Sequence, residues 1–225
     1  GKRVVVRRYR HGVICRVLTG DLFRGPERPL RELKALELAR GAGIPVPLAL
    51  GVFLEPAPAG FIRADLVTEY IPDTIDLLAC FRERGGRGAD ADAIVRAAGR
   101  LVARAHQAGM YHSDLNLKNV LIGKTVFGTE AYLLDLDQSF FRPPLSRTEK
   151  ERNLLRLYRS YRKMVFPERA DPRPAIRFLL AYAPREREFR RSFVRRAERS
   201  GSRCHRLRWW WRERVFGSRY ARPRD

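Results

Sequence analysis

The sequence predicts an α+β chain in two parts, a small β-rich N-terminal part and a larger helical C-terminal one. Three observations lead there. Up to about residue 70 the apolar pattern is strand-like, with one amphipathic helix interposed; beyond it the period is mostly helical. A polar loop at residues 112–119 is followed by two short apolar stretches separated by a turn, the second ending in Asp135. The 225 residues are 44% hydrophobic and 10% aromatic, enough to bury a core and to exclude wholesale disorder.

The elements follow in order. Residues 3–9 are rich in valine and read as a strand ending near His11 and Gly12. Residues 28–40 carry Leu30, Leu33, Leu36 and Leu38 among charges, an amphipathic helix that stops before Gly41 and Gly43. Pro45 and Pro47 then force their predecessors into extended conformation. Residues 48–54 and 61–70 read as two more strands, and a hinge is expected near residues 69–73. A short helix is expected at 76–84, a glycine-rich break at 85–88, and a long helix at 90–108 with Ile94, Ala97, Leu101 and Ala105 on one face. Strands at 120–122 and 131–134 come next, then basic helices at 146–164 and 172–199.

Charge and cysteine usage narrow the setting. Lys and Arg number 46 against 25 Asp and Glu, a formal charge of +21. Residues 142–225 hold 26 of the basic and 9 of the acidic residues, so the C-terminal part carries most of the excess. Such a field attracts phosphate-rich or otherwise anionic partners. Cys15, Cys80 and Cys204 form no C-x-x-C pair, which suits a reducing compartment. No run approaches the roughly 18 apolar residues of a membrane span, and no secretory signal opens the chain, so a cytoplasmic location is expected.

The chemistry concentrates in His112-Ser113-Asp114-Leu115-Asn116-Leu117-Lys118-Asn119 and in Leu133-Leu134-Asp135. A hairpin between the two apolar stretches would gather Asp114, Asn119 and Asp135 around one cleft. Phosphoryl transfer uses such a set: oxygen ligands for Mg²⁺ (Asn119 and Asp135) and a carboxylate to orient the attacking hydroxyl and accept its proton (Asp114). Taken singly, Asp114, Asn116 and Asn119 could equally cap turns; the joint spacing carries the reading. Upstream, Val4-Val5-Val6-Arg7 has the shape of a V-A-I-K strand with arginine in the lysine position, and Glu32 on the following helix is placed to pair with it. That contact could be bidentate. The alternative makes Arg7 one arginine among many and Glu32 a solvated charge. Arg8 should face the other side of the strand. Residues 66–72 leave a strand for a helix, where main-chain groups at Glu69 and Ile71 could hydrogen-bond an adenine; a plain connector is the alternative.

On these residues the chain resembles the protein-kinase-like superfamily, and within it the lipopolysaccharide kinases of the 3-deoxy-D-manno-octulosonic acid (Kdo) branch. The stretches that carry the likeness are residues 6–12, Arg31-Glu32, residues 43–47, 63–69, 111–119 and 133–137, and Asn153-Leu154-x-Arg156-Leu157. The resemblance implies a two-lobed protein-kinase-like fold: a small N-lobe at 1–70 lacking its first strands, a helical C-lobe at 71–200, and a basic, Trp-rich tail at 201–225. It also implies ATP-dependent phosphorylation of a sugar hydroxyl on the inner core of lipopolysaccharide, with Kdo-lipid A as acceptor, on the cytoplasmic face of the inner membrane. Asp114 would then be the base, Asn119 and Asp135 the Mg²⁺ ligands, and Arg7 and Glu32 the nucleotide-side ion pair. Two departures stand out. No glycine-rich phosphate-covering loop precedes the first strand, and Asp135 lies in Asp-Leu-Asp rather than Asp-Phe-Gly. The first leaves a pseudokinase as an alternative.

Arg156, Arg159, Arg162 and Lys163 on one helix, and Arg190, Arg191, Arg195 and Arg196 on another, would meet an anionic membrane surface, with Trp209, Trp210 and Trp211 at headgroup depth. The alternative is a solvated basic face over ordinary core helices. Nucleic acid is the rival partner: RIO-type atypical kinases carry a similar loop, and an Arg- and aromatic-rich tail suits RNA.

Overall fold

The computed structural model describes residues 3–10, 20–84, 89–126, 128–165, 172–197 and 199. The expected strand end at His11 and Gly12, the break at 85–88, Cys15, Cys204 and the Trp-rich tail lie outside the described residues. The chain divides into two compact units, Gly1–Pro184 and Arg185–Asp225.

The first unit opens with a three-stranded antiparallel sheet in the order β1-β3-β2, formed by β1 (Val4–Arg8), β2 (Ala49–Pro56) and β3 (Ile62–Glu69). Val6 lies opposite Val67 and Arg7 opposite Leu66. Helix α1 (Glu27–Gly41) buries Pro29, Glu32, Ala35, Leu36 and Ala39, one face at the helical period. This face differs from the one its leucines suggested: Leu30 and Leu38 are 44% and 48% exposed. Turning Glu32 inward to meet Arg7 brings the small Ala35 and Ala39 in with it and leaves those leucines outside.

A second sheet, β4-β6-β7, comprises β4 (Thr74–Asp76), β6 (Val120–Thr125) and β7 (Gly128–Leu133). The three-residue β4 was not expected; it is too short for period-2 alternation to register. Asp76 closes it and caps α2 (Leu77–Arg84) by accepting the Ala79 N–H at 2.8 Å. Helix α3 (Ala89–Gln107) buries Ile94, Ala97, Ala98, Leu101, Val102 and Ala105. It is followed by β5 (Met110–Tyr111), which pairs with β8 (Phe140–Phe141). Between those two strands run the polar loop, the β6–β7 hairpin and Asp135. The β5–β8 pair therefore closes the base of the segment that holds the candidate chemistry.

Helix α4 (Arg147–Met164) starts on a capping box in which Ser146 and Glu149 satisfy each other's backbone N–H groups at 3.3 and 2.9 Å. Helix α5 (Pro172–Tyr182) packs on α3, and Gly99 makes room for it: a Cβ there would lie 2.6 Å from the Phe178 carbonyl oxygen. The single helix expected at 172–199 is two pieces, α5 and a helix at 187–197 in the second unit. Pro184 supplies the break, since it lacks an N–H and disfavours helical geometry in the residue before it.

Candidate active site

Apolar anchors and one histidine shape the loop at residues 111–119. Met110, Leu115, Leu117, Leu133 and Leu136 are all 2% exposed or less, so the backbone around Asp114 is pinned on both sides. His112, itself buried, receives the Asp114 N–H on Nδ1 at 3.2 Å and donates from Nε2 to the Leu134 carbonyl at 2.9 Å. That assignment makes the ring neutral, and burial holds its pKa below the ordinary value. The ring thus ties the loop to the strand end before Asp135. Asn153 on α4 grips the His112 backbone at both ends, its carboxamide NH₂ donating to the carbonyl at 2.6 Å and its oxygen accepting the N–H at 3.3 Å.

Asp114 is exposed. Its Oδ2 accepts from the Asn116 amide at 3.0 Å and lies 3.5 Å from the Asn119 amide; its Oδ1 faces Arg156 Nη1 at 3.5 Å. Asn119 spends its NH₂ on the Asp114 carbonyl at 2.9 Å, which turns its amide oxygen the other way. The Asn119 carbonyl accepts the Leu134 N–H at 2.9 Å, so the hairpin sets Asn119 beside the residue preceding Asp135. Asp135 has φ +56°, in the left-handed region that Asp tolerates better than most residues, and there the chain leaves the line of β7.

Arg7 reaches this cluster from β1. One guanidinium nitrogen meets Glu32 and the other meets Asp135 at 2.8 Å. The Arg7–Glu32 pair suggested by the sequence is present, and the guanidinium fork is divided between two carboxylates. Glu32 is 2% exposed, and burial pushes its carboxyl up, opposed by Arg7 and by the Tyr9 hydroxyl. Burial also works against the Arg7 cation, but Glu32 and then Asp135 more than offset it and raise its pKa. Arg8 points to the other side and pairs with Asp65 at 3.0 Å.

Glu69 and Ile71 lie at the far end of β3, where Glu69 is opposite Val4. The Leu48 N–H donates to the Glu69 carboxylate at 2.8 Å, and the Glu69 N–H to the Leu48 carbonyl at 2.9 Å. Thr74 donates its hydroxyl to the Ile71 carbonyl at 2.9 Å.

Sequence reasoning missed several residues. Tyr9 donates its hydroxyl to Glu32, and Arg28 on α1 holds Asp137 with two contacts to Nε at 3.0 and 3.2 Å. The second aspartate of Asp-Leu-Asp was the available signal for that pair. His106 carries no local signature, and Asn153, although part of the Asn153-Leu154-x-Arg156-Leu157 stretch, gives no hint of its partner.

Among the described residues no group of three or more His, Cys, Asp and Glu side chains could hold a metal ion. Mg²⁺ does not require one, because it binds one or two protein oxygens together with waters and phosphates. The Asn119 amide oxygen and the Asp135 carboxylate are all-oxygen, hard donors and fit it.

Among solved structures the chain is similar to "WaaP in complex with acyl carrier protein", with a TM-score of 0.58 over 88% of this chain and 80% of that one, at 21% identity. The likeness shows a protein-kinase-like fold. Sequence comparison narrows the class: the model of the "Lipopolysaccharide kinase (Kdo/WaaP) family" matches residues 2–182. The chain belongs to that family of phosphotransferases, for which ATP is the implied donor. A 3-deoxy-D-manno-octulosonic acid kinase of Pasteurella multocida (strain Pm70) is 30% identical over 169 residues, 73% of this chain and 68% of the relative. The Xanthomonas campestris pv. campestris (strain B100) protein of the same name is 33% identical over 164 residues, 71% of this chain. The chain spans only 62% of the length of that second relative. The family match displaces the RIO-like reading. Among the described residues no helix is long and apolar enough to cross a membrane.

Proposed function

We propose that the chain transfers the γ-phosphoryl group of ATP to a sugar hydroxyl of the lipopolysaccharide inner core, with Kdo-lipid A as acceptor and Kdo as the sugar phosphorylated. The observation that carries this reading is the contact of Arg7 with both Glu32 and Asp135. One cation from the nucleotide side meets the carboxylate that would take the metal, and the same hairpin holds Asn119 and Asp114. Asp114 orients the acceptor hydroxyl and takes its proton; Arg7, kept in place by Glu32 and Tyr9, meets the nucleotide phosphates. Asn119 and Asp135 would hold Mg²⁺, which when bound neutralises charge on the β- and γ-phosphates.

Main-chain groups at Glu69 and Ile71 receive the adenine. Arg7 is opposite Leu66 and Val4 opposite Glu69, so the two ends of the nucleotide site are about 10 Å apart along β3, a separation that suits an extended nucleotide. Residues 1–70 then form the nucleotide side and the residues after them the catalytic and acceptor side. An acceptor anchored in a bilayer calls for peripheral attachment to the cytoplasmic face of the inner membrane, for which the basic C-terminal part is suited.

The test is incubation with labelled ATP and Mg²⁺ against Kdo-lipid A, heptosylated core, an aminoglycoside and RNA at moderate salt. Label should pass to Kdo-lipid A. Label passing to none of them, or to RNA instead, would overturn the assignment.

A further inference from the structure

Arg156 stands where an acceptor must come. Asp114 offers two carboxylate oxygens, and Oδ2 is taken by Asn116 and approached by Asn119. A hydroxyl delivering its proton to Asp114 therefore sits against Oδ1, and the group across from Oδ1 is the Arg156 guanidinium at 3.5 Å. That distance is well beyond the roughly 2.7–2.9 Å of a charge-assisted hydrogen bond. With the two side chains 50% and 60% exposed, the pair contributes little to stability. A structural role therefore accounts poorly for an arginine at this point. A recognition role accounts for it well, because a planar fork matches a carboxylate or phosphate.

Two further observations point the same way. An anionic acceptor approaching Asp114 alone would meet like charge, and Arg156 offsets that charge. Arg152, Arg159 and Lys163, at four residues before and three and seven after, share the exposed face of α4 with Arg156. Together they make a basic track about 16 Å long that leads to the base.

We propose that Arg156 binds an anionic group of the acceptor, a carboxylate or a phosphate, next to the hydroxyl that is phosphorylated, and so selects acidic sugars. The assignment rests on the reading of Asp114 as the base. It is tested with the full chain, labelled ATP and three acceptors: Kdo-lipid A, its carboxyl-reduced form, and its dephosphorylated form.

With Arg156→Gln the KM for Kdo-lipid A should rise about ten- to a hundredfold, the loss of one charge-assisted contact, while the KM for ATP and the Tm stay as in wild type. Arg156→Lys should fall between. Wild type should prefer the intact acceptor over one modified form, and Arg156→Gln should lose that preference. Loss confined to the carboxyl-reduced form identifies the carboxylate as the group bound; loss confined to the dephosphorylated form identifies the phosphate. If wild type transfers normally but Arg156→Gln keeps the acceptor KM, or lowers kcat equally for all three acceptors, Arg156 only positions Asp114 and the proposal fails. Wild type transferring to none of the three overturns the assigned function, and this proposal with it.

Discussion

Acid should destabilise this protein through His106, above the pH at which ordinary carboxylates protonate. The His106 ring is buried between neutral partners: Nδ1 lies 2.8 Å from the Tyr182 hydroxyl and Nε2 lies 3.0 Å from Asn153 Oδ1. Burial lowers its pKa from 6.5 to about 4, the Asn153 hydrogen bond opposing and the charge of Lys150 adding to the shift. The unfolded chain takes up this proton near 6.5 while the folded chain resists until about 4. Stability from His106 is therefore complete above 6.5 and is lost progressively as the pH falls toward 4. Linkage puts the loss at about 2 kcal/mol between neutral pH and about pH 5. For a domain of this size that lowers Tm by about 4–8 °C.

His112, shifted in the same direction by burial, adds a loss of the same sign. The assay is calorimetric Tm against pH for wild type and His106→Gln. The variant starts lower, because an amide replaces a packed ring, but its fall between about pH 7 and pH 5 should be smaller by the His106 contribution. Two parallel curves would refute the reasoning. The consequence reaches the candidate active site, because Asn153 joins His106 to the His112 backbone two residues before Asp114.

Three other outcomes are expected. Asp114→Asn should lower kcat by about 10²–10⁴-fold with little change in Tm or in the KM for ATP, since the residue is exposed and its amide neighbours remain; steady-state kinetics with Kdo-lipid A measures this. Asp135→Asn should mainly raise the Mg²⁺ concentration needed for nucleotide binding, read by titrating Mg·ATP against the chain, and normal Mg²⁺ dependence would count against its assigned role. Gly99→Ala should cost about 1–3 kcal/mol in denaturant unfolding despite the better helix propensity of alanine, because the new Cβ would lie 2.6 Å from the Phe178 carbonyl oxygen and 3.0 Å from Ala181 Cβ.

Most of what is local was legible in the amino-acid order. The strand at Val4–Arg8 follows from its valines, and the long helix ending at Gln107 and the β6–β7 hairpin from the pattern of apolar residues, all properties of neighbouring residues. The five-residue spacing of Asp114 and Asn119, with Asp135 after an apolar strand, likewise needs only a loop and a hairpin to bring the three together. Of the side chains joined across the fold, the sequence suggested only the Arg7–Glu32 pair. The division of Arg7 between Glu32 and Asp135, the hold of Arg28 on Asp137, the grip of Asn153 on His112 and the place of Arg156 beside Asp114 depend on how β1, α1 and α4 pack. A pairing that spans 42 or 128 positions is set by the relative placement of whole elements, and no spacing within one element encodes it. The buried face of α1 shows the same limit: leucine spacing suggested one face, and the need to bury Glu32 against a distant arginine selected another.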